Sequence, residues 1–214
     1  MTITKTHIID WLKTYTLAID THAGQLNRMD AAIGDGDYGA SIQRGLEAAN
    51  KLMPEISHLD IGAILSKCGM KMMSAMGGTS GPLTGTLFVQ MGRITNGKQE
   101  LTLADIAAAV QAGVAGVMAL GKAQVGDKTM IDAFAPAVEA LQAAVENDLS
   151  MAEALKNAAE AARAGYESTA NLVAHRGRAS YIGERGLGNI DPGAFSAYLL
   201  INALTETVVE YEVI

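Results

Sequence analysis

Three aspartates fall within eight residues in Asp30-Ala-Ala-Ile-Gly-Asp35-Gly-Asp37-Tyr-Gly39, spaced by small residues and glycines that let the backbone fold tightly. Carboxylates crowded in this way repel one another unless a positive charge sits among them. Oxygen donors with no adjacent His or Cys select a hard cation, Mg²⁺ or Ca²⁺, over zinc or copper. The competing interpretation is a solvated acidic turn, and the rest of the chain weighs against it. The same stretch also satisfies the letters G-x-G-x-x-G from Gly34 to Gly39. A dinucleotide site, however, requires a buried strand before the glycines and a bare turn facing the pyrophosphate. Ala31-Ala-Ile33 is too short for that strand, and the aspartates would face the phosphates. Carboxylates and phosphates share a site only through bridging cations, so the metal interpretation is retained.

Other loops complement the aspartates. Gly77-Gly-Thr-Ser-Gly81 opens a helix with exposed backbone N–H groups and two hydroxyls, and helix N-termini attract anions. Gly121-Lys-Ala-Gln-Val-Gly-Asp-Lys-Thr129 nearly spells a P-loop, but Asp127 is inserted before the lysine and both flanks read as helices. That excludes a Walker A and leaves a turn that orders a basic residue and a helix start near a ligand. Arg176-Gly-Arg178-Ala-Ser-Tyr-Ile-Gly-Glu-Arg185 places three arginines in one loop of an acidic protein. Arg178, between small residues, is suited to donate to a phosphate oxygen. Metals that neutralise, backbone donors that orient and an arginine that stabilises are the parts phosphoryl transfer needs. None of the four histidines (His7, His22, His58, His175) lies in a nucleophile or metal pattern, and all are assigned to surface or packing. Cys68 and the nearby Met70, Met72, Met73 and Met76 are expected in the core.

The elements that must position these loops are helices. The 214 residues are 49% hydrophobic and only 5% aromatic, with eleven methionines, which favours helices packed closely on helices in one domain, 1–214. A net charge of −7 without a Lys/Arg stripe argues against a nucleic-acid partner. A single Cys excludes an internal disulfide and points to a reducing compartment. Nothing at the N-terminus reads as a signal peptide, and the apolar run Ile106 to Gly121 is interrupted by Gln111 and glycines. A cytoplasmic protein without a membrane span is expected.

Helical periodicity recurs, without convincing β alternation. Ile8, Trp11, Leu12, Tyr15 and Ile19 form the first stripe. Further helices are expected at 41–53, from an Asp60 cap to Met76, after the Thr79/Ser80 caps with Pro82 in the first turn, after Thr102-Leu-Ala-Asp105, at 129–146, at 151–174 behind Ser150-Met-Ala-Glu153, and after Asp191-Pro192-Gly193. Residues 54–58 read as a turn and 175–190 as a polar loop. This amounts to an all-α antiparallel bundle of about eight helices.

Gly34-Asp-Gly-Asp-Tyr-Gly39, Gly77-Gly-Thr-Ser-Gly-Pro-Leu83, Gly126-Asp-Lys-Thr-Met130, Gly177-Arg-Ala-Ser-Tyr-Ile-Gly-Glu-Arg185 and Asp191-Pro-Gly-Ala194 together resemble the L subunit of dihydroxyacetone kinases, in order and over essentially the whole chain. The resemblance implies an eight-helix antiparallel barrel whose loops at one end bind ADP or ATP. It implies Asp30, Asp35 and Asp37 as ligands of two Mg²⁺ ions. Tyr38, Gly39, Ala40, Ser41, Thr79 and Ser80 match phosphate-contacting positions. Gly121, Met130, Arg178, Asp191, Pro192 and Gly193 match other nucleotide contacts, with Arg178 the candidate for stabilising the transferred phosphate. Tyr38 stands where the family usually has His, and Thr84 where an aromatic is common. The resemblance further implies a phosphoenolpyruvate-dependent system. Bound ADP is rephosphorylated there by the phosphohistidine of an M subunit, and the phosphoryl group passes to dihydroxyacetone on a K subunit. The alternatives are a subunit of an ATP-dependent triose or tetrose kinase, and a nucleotide-loaded regulatory binding subunit.

Overall fold

The first apolar stripe folds as α1, Lys5–Ile33, which buries Ile8, Trp11, Leu12, Tyr15, Ile19 and Leu26 along one face. The computed structural model describes residues 1–213, with side chains to Tyr211. Seven more helices follow: α2 Tyr38–Ile56, α3 Ile61–Ala75, α4 Ser80–Ile94, α5 Leu103–Gly121, α6 Ile131–Glu146, α7 Met151–Ser168 and α8 Pro192–Val213. Short 3₁₀ turns occupy 169–171, 178–181 and 183–186.

Each helix packs on its neighbours in sequence, and α8 returns to pack on α1, so the eight close into a ring. Short connections force neighbours to run antiparallel. That alternation has a functional consequence. The α1–α2, α3–α4, α5–α6 and α7–α8 connections must all emerge at one end of the ring. They are the aspartate loop, the Gly77–Thr79 turn, the 122–130 loop and the arginine segment. At the other end, a two-residue strand β1 (Ile3–Thr4) pairs antiparallel with β2 (Glu100–Leu101). Four residues of strand were too short to register as alternation in the sequence.

Several helix starts follow their local signals. Asp60 accepts from the Ala63 N–H at 3.0 Å, and the Thr102/Asp105 and Ser150/Glu153 boxes both close. Four boundaries differ from expectation. α2 begins three residues early, because Asp37 and Tyr38 N–H groups find an acceptor in Asp30. It also continues through Pro54 to Ile56. α6 begins at Ile131, after the left-handed Lys128 and a short turn. α7 stops at Ser168, where Thr169 turns into a 3₁₀ segment and donates its hydroxyl to Tyr166 O. Thr79 makes no side-chain cap, and Ser80 donates instead to Gly77 O at 3.0 Å.

The core takes Cys68, Met72 and Met76 as expected, while Met70 and Met73 are exposed at 54% and 37%. Helix α5 is long and apolar enough to span a membrane by length and composition alone. Here its Ile106, Ala109, Val110, Val114 and Val117 face inward, between α4 and α6. Between α3 and α4 the backbones nearly touch. A Cβ at Gly62 would lie 2.5 Å from Gly92 O, and one at Gly69 would lie 2.7 Å from Gly85 O. The reciprocal distances, from Gly92 and Gly85, are 2.5 and 2.6 Å. Two glycines seven residues apart on each helix thus form a seam that leads up to the start of α4.

Candidate functional site

Asp30, in the last turn of α1, organises the aspartate loop. Its Oδ2 accepts the N–H of Asp37 at 2.9 Å and that of Tyr38 at 3.2 Å. Gly36 supplies the left-handed turn at φ 79°. The loop therefore folds back on its own carboxylate. One carboxylate oxygen from each of Asp30, Asp35 and Asp37 lies within 4.8 Å of the others. An all-oxygen set at this spacing fits a hard divalent cation, and the Arg178 guanidinium also contacts Asp35.

Beside the carboxylates stands the start of α4. Gly77 donates its N–H to the buried Ser41 Oγ at 3.0 Å, and Gly78 takes φ 63°. This pins the turn to α2 and leaves Thr79 and the first α4 N–H groups facing the cavity. The 122–130 loop forms the next wall. Asp132, 4% exposed, accepts Gly126 N–H at 2.6 Å and Thr129 N–H at 2.7 Å. Burial raises the Asp127 carboxyl, but the Gln124 N–H and Arg176 outweigh it and hold it below the usual carboxylate range. Lys128 is buried with its Nζ on two carbonyls, and burial lowers its pKa against the pull of Asp191.

The arginine segment is anchored by Ala174 and Ala179, which pack on Ile33 at the end of α1. The start of α8 completes the ring. Asp191 accepts the Ala194 N–H at 2.7 Å, and burial nevertheless pushes its carboxyl up to about 7. Tyr38 reaches across to this helix, its hydroxyl 2.7 Å from Ser196 Oγ, which donates to Gly193 O. Burial raises the Tyr38 pKa, so the phenol stays protonated and serves as a strut.

These walls enclose a cavity of about 540 Å³. Asp30, Asp35, Asp37, Tyr38, Thr79, Ser80, Gly121, Met130, Arg178, Asp191, Pro192 and Gly193 all line it. Gly39, Ala40 and Ser41 do not. Gly39 packs its Cα against the backbone of Ala23, Ala40 opens onto a separate polar groove between α1 and α2, and Ser41 acts through Gly77. Sequence reasoning missed the apolar wall of Ile33, Leu83, Val117, Leu120 and Ala123 and gave Arg176 no role there, while it placed the near-P-loop lysine near a ligand without finding its partners. The Asp127-Lys128 pair inside the near-P-loop was the available signal for Lys128. The wall residues look like any other helical apolar positions.

The cavity thus has an acidic, metal-competent corner beside a helix N-terminus and an arginine, and an apolar slot towards Leu120 and Met130. That is the polarity of a ligand with a phosphorylated end and a flat apolar end. The DAK2 domain profile matches residues 32–206. The PEP-dependent dihydroxyacetone kinase, ADP-binding subunit DhaL, of Escherichia coli (strain K12) is 39% identical over 204 residues, covering 95% of this chain and 97% of that one. The PTS-dependent dihydroxyacetone kinase, ADP-binding subunit DhaL, of Lactococcus lactis subsp. lactis (strain IL1403) is 36% identical over 200 residues, 94% of this chain and 96% of that one. The crystal structure of the dihydroxyacetone kinase from C. freundii in complex with AMP-PNP and Mg²⁺ superposes with a TM-score of 0.71 at 28% identity. That match covers 92% of this chain and 33% of the longer kinase.

Proposed function

This chain belongs to the DAK2-domain family, and from that premise we propose that it is the ADP-binding subunit of a phosphoenolpyruvate-dependent dihydroxyacetone kinase, acting as one nucleotide-binding domain over 1–214. The observation that carries the proposal is the corner where three aspartate oxygens within 4.8 Å of one another meet the start of α4 and Arg178 in one cavity. The relatives that match along nearly their full length are ADP-binding subunits, which supports the nucleotide assignment.

Asp30, Asp35 and Asp37 would hold Mg²⁺, two ions by the family resemblance, and the metal would supply charge neutralisation along the phosphates. The chain's own groups do the rest. The Asp30 carboxylate fixes the loop through two N–H groups and would also contribute to the cation's oxygen ligands. Thr79, Ser80 and the first N–H groups of α4 orient phosphate oxygens without needing to reorganise. Arg178 meets the charge that builds on the transferred group. Gly121, Met130 and the Asp191–Gly193 turn flank the apolar slot for the nucleoside and keep water from it.

Partner subunits are part of this reading. A phosphohistidine-bearing M subunit donates the phosphoryl group, and a K subunit presents dihydroxyacetone to accept it, both at the loop end of the ring in the cytoplasm. The test is to purify the protein without added nucleotide and quantify what it carries. Stoichiometric ADP with Mg²⁺, and turnover of dihydroxyacetone on adding K and M subunits with phosphoenolpyruvate, is the expected result. A protein that neither carries nor binds ADP in Mg²⁺ overturns the assignment. An empty protein that exchanges ATP freely points instead to the ATP-dependent kinase.

A further inference from the structure

Two consecutive residues, Asp127 and Lys128, grip the arginine segment at different points. The Lys128 ammonium, 1% exposed, donates to Leu172 O at 3.1 Å and to Gly186 O at 2.7 Å. Those carbonyls are the two feet of the segment that carries Arg178. Asp127 holds its shoulder: the carboxylate accepts Arg176 Nε at 3.2 Å, and its main-chain carbonyl accepts the His175 N–H at 3.1 Å. The grip is built into a fixed base. Lys128 adopts φ 60°, a conformation that L residues other than Asn and Asp seldom take, and Asp132 holds the turn on both sides of it.

An apolar side chain of similar length would fill the same space without the cost of burying an ammonium. What an ammonium adds is geometry. It carries several donors on one atom, so it can tie two carbonyls fourteen residues apart to one fixed point. The base of the segment is closed independently, by the Gly188 N–H on Ala170 O at 2.7 Å, so without the ammonium the ends stay together but the two feet lose their shared fixed point on the 122–130 loop. Arg178 lies between the feet, at the end of the cavity where Asp35 stands.

We propose that Lys128 is the positioning residue of this site: it acts on bound nucleotide through Arg178, by fixing in place the 172–186 segment that delivers that guanidinium. The proposal rests on the reading above that Arg178 meets the phosphates of Mg²⁺–ADP.

The experiment is a double-mutant cycle on the full chain, with Mg²⁺–ADP affinity measured by titration calorimetry for wild type, Lys128→Met, Arg178→Ala and the double variant. Loss of one charge-assisted contact should cost Arg178→Ala about tenfold in affinity, and Lys128→Met a similar factor. The double variant should then bind no more than about threefold more weakly than Arg178→Ala, because the second change has nothing left to misplace. Two factors that multiply to about a hundredfold, or a Lys128→Met protein with wild-type affinity, overturn the proposal. Hydrogen exchange without nucleotide gives a separate readout: amides of 172–186 should exchange faster in Lys128→Met, while those of α3 and α4 stay unchanged. Unaltered exchange in 172–186 overturns the clasp even if ADP binding itself fails. Arg178→Ala with full affinity would sink the phosphate role of Arg178 in the functional reading. Should Lys128→Met not fold, Arg176→Gln loosens the same segment from a side chain 46% exposed. It should show the same non-additivity with Arg178→Ala at a smaller amplitude, and additive effects there count against the clasp.

Discussion

Replacing Asp30 separates two roles that one carboxylate performs. Asparagine keeps an oxygen for the N–H groups of Asp37 and Tyr38 but removes the charge. At 4.8 Å, two carboxylates repel by about 1 kcal/mol in the dielectric of water. Neutralising Asp30 relieves two such pairs, about 2 kcal/mol in all. Against that, two hydrogen bonds to an ionised acceptor become ordinary ones, a loss of about 1 kcal/mol each. The terms nearly cancel, so in EDTA Asp30→Asn should melt within a few degrees of wild type. Asp30→Ala instead strips both N–H groups of their acceptor and should melt several degrees lower. Mg²⁺–ADP at a hundred times its dissociation constant stabilises a binding-competent protein by about 2.7 kcal/mol. For a chain of this size that is a rise of about 5–11 °C. Wild type should show that rise in calorimetry, and both variants should lack it. An Asp30→Asn protein that keeps the full rise refutes the metal role of the carboxylate. Asn and Ala variants that melt alike in EDTA refute its role in folding the loop.

Other expectations are more local. Gly69→Ala puts a methyl group 2.7 Å from Gly85 O and 2.9 Å from the Phe88 Cβ, and overpacking of this kind costs about 1–3 kcal/mol; an unchanged melting temperature would show that the α3–α4 seam can yield. Tyr38→Phe removes the strut to Ser196 and should cost about 1 kcal/mol of stability, with Mg²⁺–ADP leaving faster in stopped flow; an identical off-rate would detach the strut from binding. Asp191 bears on pH. Burial pushes its folded-state carboxyl up to about 7 from 3.8, so the folded protein keeps a proton that the unfolded chain releases, and stability falls as pH rises through that window. Asp191→Asn should therefore gain on wild type between pH 5 and pH 8 in EDTA without nucleotide, and a constant difference between the two would refute the shift.

The loops were legible because their residues break helical grammar. Glycines next to carboxylates, hydroxyls or arginines have little reason to interrupt a helical chain unless a ligand needs the exposed backbone. The helices were legible from their stripes and caps, and four Asp or Ser/Thr starts, at Asp60, Thr102, Ser150 and Asp191, formed as their sequences imply. Boundaries failed where a distant group decided the matter. The α2 start depends on Asp30, seven residues upstream, and α2 runs two residues past Pro54 although the proline removes one i→i−4 bond. Lys128 read as a near-P-loop lysine in the sequence, yet its partners are main-chain carbonyls 44 and 58 residues away. Main-chain carbonyls carry no residue signature, so no spacing rule could have paired them with it.

The glycine seam sets how the cavity can breathe. With backbone laid on backbone at four glycines, α3 and α4 leave little room for motion between them, so the turn at Gly77 sits on a stiff plate. The facing wall hangs from hydrogen bonds to Asp127 and Lys128, which can open one by one while the core stays shut. On the proposed function, nucleotide enters and leaves past the arginine wall, with the plate as a fixed landing point for phosphate. Residence time then answers to residues 172–188 together with the Tyr38 strut. Closely similar chains can thus differ in whether they keep or trade their nucleotide by changing that wall, with the phosphate cradle left as it is.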